Sequence, residues 1–392
     1  MWQNQPVIDA DGHVMEPLWL WPDYIDPPFR TSCLRIARDP ADGDKLIIDG
    51  RPSRLIRRLG GIVPSPGQEI PDWNSLPAGR PLASYRDSCT TASWDAAARL
   101  AWLDTNGIDA TFLFPSLGLI WPRETGPCGP YALAHYQAYN RWIRDMTSAA
   151  PGRLIPVAQV ALTSDLPETL TRLADSGFRD VMFPLGLGAD RALRPAADPF
   201  LAAVQDLAIT VHLHKAAIPH FLPAPAATSL RSPGTGPFFN HVNEILPGQL
   251  CLAALLDARA LDRFPAVRLA FHECNATWLP AWLDRAQESC DTLRASGAAS
   301  IPDLPPPAYL TQRDTLFFSA GLGEDLTRLP PALSRSLLLA TDYPHPGTPP
   351  SPRDAWAPVL AALPGTTSYA LTGGNALRLT TESTVTTYAQ PN

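Results

Sequence analysis

No stretch of the sequence reaches about 18 consecutive apolar residues, the length a helix needs to span a bilayer. It therefore predicts no transmembrane helix. Met1 to Pro6 carries neither a basic region nor an apolar core, so no secretory signal is read there. Clusters of Lys and Arg are also missing, and the formal net charge is −7. Nucleic acid and anionic membranes both select a basic face, so neither is an expected partner. The six cysteines (Cys33, Cys89, Cys128, Cys251, Cys274, Cys290) show no Cys-x-x-Cys spacing. Together these features predict a cytoplasmic protein with free thiols. Nor does a Gly-x-Gly-x-x-Gly follow the first strand candidate, which leaves an open doubly wound sheet without its main support.

What is present is a chain of 392 residues, 45% apolar, with 44 prolines. The apolar segments persist throughout, so the prolines read as stiffened loops rather than disorder. Short apolar runs alternate with amphipathic stretches, the pattern of repeated βα units. The strand candidates are Pro6–Asp11, Asp109–Pro115, Leu154–Leu162, Asp180–Leu185, Ile209–His214, Val267–His272, Thr315–Ser319 and Ser336–Thr341. Helices are expected over 94–106, 131–149, 165–176, 199–208, 239–263, 277–294, 325–334 and 354–363, with Gly107 and Gly177 as stops. Eight such units predict a single α/β domain of the TIM-type (β/α)8-barrel class over residues 1–392. A polar, Pro/Gly-rich insertion follows strand one at about residues 39–88, with a small hairpin around Lys45–Asp49 and Gly50. A Pro-rich loop after strand five, Pro219–Pro237, is long for a barrel and reads as a lid.

Four strands end in residues able to hold a metal or move a proton. Strand one ends in Asp9-Ala10-Asp11-Gly12-His13, strand five in His212-Leu213-His214, strand six in His272-Glu273, and strand eight in Asp342-Tyr343-Pro344-His345. In a barrel the carboxyl ends of the strands converge on one face. Residues i and i+2 of a strand point to the same side, so Asp11 and His13 can meet one ion, as can His212 and His214. Mixed imidazole and carboxylate ligands suit Zn2+ or a similar ion, which activates water or polarises a carbonyl. Asp342 is read as a ligand or a proton acceptor, and His272 as the general acid/base.

Each residue also has a plainer reading. A lone strand-end histidine is more often a hydrogen-bonded structural residue. Glu16 is either a helix-start carboxylate or an alternative ligand. His135 reads as structural and His220 as solvent-facing, whereas His241 is placed facing the pocket. The coincidence of four strand ends is what favours a metal site.

The segments DADGHVMEP, VHLHK, FHECNATWLPAWLDR and LLLATDYPHP resemble the amidohydrolase-2 branch of the amidohydrolase superfamily. The branch includes 2-amino-3-carboxymuconate semialdehyde decarboxylase and related decarboxylases and hydrolases. The likeness runs from Val7 to Leu379 and is weakest in the insertion and the lid. It implies a metal held by Asp11, His13, His214 and Asp342, with His212 as the alternative to His214, and His272 as acid/base. Asp11 stands where a longer Glu or a His is frequent. The implied ion is one Zn2+ per chain, with Mn2+ as the alternative. The implied reaction is non-oxidative C–C cleavage of a small molecule, foremost decarboxylation of an aromatic or unsaturated acid. Hydrolysis of a C–N, C–O or C–C bond is the second reading, and a metal-free binding protein the third. His241, Arg123, Trp121 and His345 are expected to contact substrate, with Trp19 and Trp21 as further stacking candidates and Arg285 near the mouth. A homodimer is implied by the same resemblance.

Overall fold

A computed structural model describes residues 2–38, 44–54, 85, 89–185, 198–215, 242–298, 301–345 and 347–380; for Arg123 and Pro184 it describes the backbone alone. The loop 219–237 expected to be a lid, His220, His241 and most of the expected insertion lie outside the described residues.

Eleven strands occur among the described residues: β1 (Ile8–His13), β2 (Arg35–Ala37), β3 (Lys45–Ile48), β4 (Arg51–Pro52), β5 (Ala110–Phe114), β6 (Leu154–Gln159), β7 (Asp180–Leu185), β8 (Thr210–Lys215), β9 (Arg268–His272), β10 (Leu316–Ala320) and β11 (Leu337–Leu339). Eight of them follow one another in a single sheet, β1-β5-β6-β7-β8-β9-β10-β11, with helices in the connections: the fold is a (β/α)8 barrel. Two compact units make up the chain. One comprises residues 11–161 and 341–356, the other 2–10, 162–340 and 357–392.

In the first unit β5 runs parallel to β6, with Phe112 opposite Ile155. All five residues of β5 (ATFLF) are buried, as expected of a parallel strand covered on both faces. The helix Ala96–Asn106 starts at Asp95, whose carboxylate accepts from the Ala98 N–H at 2.8 Å. It ends at Gly107, whose φ of +66° is a left-handed cap that costs a side-chained residue more. The helix Pro130–Thr147 begins with proline at its first position, where no donor is lost. The expected hairpin is present: β3 and β4 pair around Asp49-Gly50, both at positive φ. Its partner β2 makes a three-stranded antiparallel sheet, which the short Arg-Ile-Ala run did not signal.

In the second unit β7, β8, β9, β10 and β11 are parallel neighbours. Register places Met182 opposite His212, and His214 opposite His272. The expected long helix before β9 is two pieces, Leu246–Asp257 and Ala260–Arg263, broken where Arg259 takes φ +51°. The helix expected over 325–334 is instead two 3-10 turns, Leu326–Arg328 and Pro331–Ser336, because Pro330 and Pro331 interrupt α-helical bonding. A helix over Pro306–Thr311 was hidden in a proline-rich run whose prolines occupy the amino end.

Candidate metal centre

β1 extends two residues past its expected end, so Asp11, Gly12 and His13 lie within the strand. The chain after β11 runs beside it. The Asp342 N–H donates to Asp11 O at 2.8 Å, and the His13 N–H donates to Tyr343 O at 2.7 Å. These bonds bring the strand-one and strand-eight motifs together in the first unit. Asp342 sits at φ +57°, a sparsely populated conformation for a residue with a side chain and one concentrated at functional sites.

The His13 ring is wholly buried. Its Nδ1 lies 3.0 Å from Pro115 O, an atom that only accepts, so Nδ1 carries the proton and Nε2 the lone pair. That lone pair faces Asp11 Oδ1 at 3.4 Å and Asp342 Oδ1 at 3.5 Å. Both separations exceed the roughly 2.7–2.9 Å of a charge-assisted hydrogen bond. They match the ~3.3 Å between two ligands of a tetrahedral ion with bonds of ~2.05 Å. Acceptors aimed at one another around a gap of ionic width fit a divalent cation. Asp11, despite being one methylene shorter than Glu, reaches the same point as His13.

His345 joins this cluster. Its Nδ1 is 2.7 Å from Asp342 Oδ1, and its Nε2 is 2.7 Å from Ser116 Oγ. The Ser116 hydroxyl donates to Val14 O at 2.7 Å, so it accepts from the imidazole. The connectivity is that of a Ser-His-Asp triad, but the chemistry is not. The Ser116 proton is directed to a carbonyl, and the neighbouring Leu117 and Gly118 amides are taken by Glu16. Ser116 therefore anchors His345 rather than attacking a substrate.

Glu16 is not among the ligands. Its carboxylate accepts from the N–H groups of Ser116 (3.3 Å), Leu117 (2.9 Å) and Gly118 (2.8 Å), holding the turn that follows β5. Burial pushes its pKa up, against the lowering by those amides. Behind the cluster, Arg99 is buried and donates from Nη2 to His13 O and from Nε to Ala92 O. Its guanidinium lies 4.7 Å from the centre of the Tyr343 ring, which stacks on Trp102 at 3.7 Å. Tyr343 is pinned in turn by a 2.6 Å bond to Thr90. Neither Arg99 nor Ser116 stood out in the sequence; an arginine among alanines on an amphipathic helix reads as surface.

The second unit carries its own buried array. His212 Nε2 is 2.9 Å from Asp180 Oδ1, and its Nδ1 is 2.9 Å from His272 Nε2. All three residues are buried, and the two rings are tilted by 27°. With both nitrogens engaged, His212 is a poor alternative ligand. His214 points its Nδ1 at Lys215 O at 2.7 Å, which again fixes the proton there and the lone pair on Nε2. Lys215 bridges Glu244 at 3.1 Å and Glu273 at 3.4 Å. Glu273, like Asp342, stands at positive φ (+52°) just past its strand. Asp180 was read only as the start of a strand; its role depends on register with β8, which local sequence does not encode.

Of the other expected contacts, the tryptophans and Arg285 have described side chains, and these pack elsewhere. Trp121 is buried among Tyr131, His135 and Tyr136, so its ring has no face left for a substrate. Trp21 is buried, Trp19 packs its edge on Trp142, and Arg285 is exposed and pairs with Glu288. The backbone of Arg123 lies in the short helix Pro122–Thr125. His241 lies outside the described residues.

A family model described as Amidohydrolase matches residues 90–379, and the chain belongs to that family. No curated protein matches its sequence. Among solved structures, it is similar to an amidohydrolase of Mycobacterium avium subsp. paratuberculosis K-10 (18% identity, TM-score 0.76, covering 96% of this chain and 99% of that one). It is also similar to 5-carboxyvanillate decarboxylase of Sphingomonas paucimobilis (17%, TM-score 0.61, 96% and 98%). A third is 5-carboxyvanillate decarboxylase of Novosphingobium aromaticivorans DSM 12444, solved with manganese and 4-hydroxy-3-methoxy-5-nitrobenzoic acid (17%, TM-score 0.54, 72% and 79%). At these identities the likeness is one of fold. Among the described residues no helix is long and apolar enough to cross a membrane.

Proposed function

We propose that this chain is a divalent-metal-dependent lyase that decarboxylates an aromatic or unsaturated carboxylic acid. The observation that carries the reading is the His13 lone pair facing Asp11 Oδ1 and Asp342 Oδ1 at 3.4 and 3.5 Å, with its other nitrogen tied to a carbonyl. Asp11, His13 and Asp342 are the proposed ligands of the first unit, and His214 is the further ligand that the family resemblance implies. His214 is preferred to His212 because its Nε2 lone pair is set in the same way as that of His13. Zn2+ is the proposed ion, and Mn2+, present in one similar structure, is the alternative. When bound, the ion holds and polarises substrate oxygens.

The proton chemistry is assigned to the second array. With Asp180 ionised, His212 donates from Nε2 to Asp180 and accepts at Nδ1 from the Nε2–H of His272. That alignment fixes the His272 ring; as an imidazolium, protonated on both nitrogens, it would give its Nδ1 proton to carbon, keep its Nε2–H bond to His212 and take a proton back from solvent. In the reaction the C–COO− bond breaks, its electron pair stays on carbon, carbon takes the proton, and CO2 leaves. Asp180 and His212 are positioning residues here. None of the six cysteines is in a disulfide, in keeping with a reducing, cytoplasmic setting.

The test is to supply the Zn- or Mn-loaded protein with hydroxylated benzoic acids and measure CO2. Release that disappears in His272→Ala, with metal content kept, is the expected result. Turnover that frees an amine, alcohol or acid with no CO2 would move the chain to the hydrolases, which use the same ligands.

A further inference from the structure

We propose that His345 is an additional metal ligand, acting through Nδ1, with Ser116 as the group that orients it; this rests on the metal-dependent reading above. Ser116 Oγ spends its proton on Val14 O and so accepts from His345 Nε2–H at 2.7 Å. In the neutral ring this leaves the lone pair on Nδ1, directed at Asp342 Oδ1. His13 shows the same arrangement: one nitrogen anchored to a fixed acceptor, the other aimed at the same oxygen of Asp342. Metal-binding histidines are generally held this way, by a hydrogen bond from the nitrogen that does not ligate.

The two rings lie side by side, 4.0 Å between centres and tilted by 30°. Donor atoms of His13, Asp342 and His345 all fall within 4.8 Å of one another. The His13 ring is sealed from solvent, whereas the side chains of Asp342 and His345 are 36% and 15% exposed, leaving an open approach for the ion. A cation seated on Asp342 Oδ1 displaces any proton shared across the 2.7 Å contact, and the His345 lone pair then faces the cation. With Asp11, His13 and Asp342, His345 makes a fourth imidazole or carboxylate donor from this unit, a mixed set that favours a borderline ion such as Zn2+.

The experiment uses the full-length protein stripped of metal. Co2+ is added and its visible ligand-field bands recorded; Zn2+ affinity is then measured by chelator competition. His345→Ala is expected to weaken Zn2+ binding at least ~10-fold and to shift the Co2+ bands. Ser116→Ala is expected to weaken binding within the roughly 10- to 100-fold range of orienting groups, with the bands kept. Should His345→Ala fail to fold, His345→Gln makes the same comparison. Unchanged bands and affinity in the His345 variants overturn the proposal. So does tighter binding, which would mark His345 as an imidazolium that donates to both Asp342 and Ser116 and repels the ion. A wild-type protein that binds no Co2+ overturns the metal-dependent reading as well, so the two failures are distinguishable.

Discussion

A histidine's role here is set by what its second nitrogen touches. His13 and His214 each lose one nitrogen to a backbone carbonyl and keep a lone pair, whereas His212 uses both nitrogens on Asp180 and His272. Asp180→Asn should therefore lower turnover by about 100-fold, the lower end of general acid/base contributions. It should leave metal content unchanged, as parallel rate and metal assays would report. His135 is a different case. It donates from Nδ1 to Tyr131 O and accepts from the Leu34 N–H at Nε2. Burial pushes its pKa down to about 4 from the ordinary 6.5. The unfolded chain takes up the proton first, so stability should fall as pH drops from 6.5 towards 4, by at most ~3 kcal/mol. Urea unfolding at pH 7 and pH 4.5 measures the loss, and His135→Gln should remove that part of it. The candidate ligand types were legible in the sequence, since i and i+2 spacing on a strand puts side chains on one face. It did not reveal Arg99, Ser116 or Asp180, because each acts through a partner between 30 and 230 residues away, roughly speaking, and pairing at such range follows from tertiary register.

At the scale of elements, strands and their flanking glycines were the readable part. Buried runs such as Ala110–Phe114 leave little choice of conformation, and Gly107 marks the helix end that its φ of +66° confirms. Proline-rich stretches misled: Pro330-Pro331 made 3-10 turns of an expected helix, while the prolines of Pro306–Thr311 open one. The turn after β5 is the element on which the candidate centre leans, since it carries Ser116 and is held by Glu16. A Cβ on Gly118 would stand 2.5 Å from the Gln159 amide and 2.8 Å from Pro115 Cβ. Gly118→Ala should cost about 1–3 kcal/mol, typical of overpacking, and should weaken metal binding through Ser116 and His345. Thermal unfolding with and without added Zn2+ separates the two effects.

Across the whole molecule, folding and metal binding would be linked equilibria. An ion that binds the native state alone stabilises it by RT ln(1 + [M]/Kd), about 2.7 kcal/mol at a hundredfold excess over Kd. Chelation should therefore lower the melting temperature of wild type, and do so less in Asp342→Ala. The barrel fold and the amidohydrolase family membership stand apart from the reaction, because one fold supports many chemistries and function lies in the site. The most direct test of the central claim is the metal content of the purified protein, by inductively coupled plasma mass spectrometry, before and after chelation. About one Zn2+ or Mn2+ per chain, removed by chelator and restored on adding back, is the result expected of a site built on Asp11, His13 and Asp342. A protein that carries no divalent metal and takes none up would contradict it.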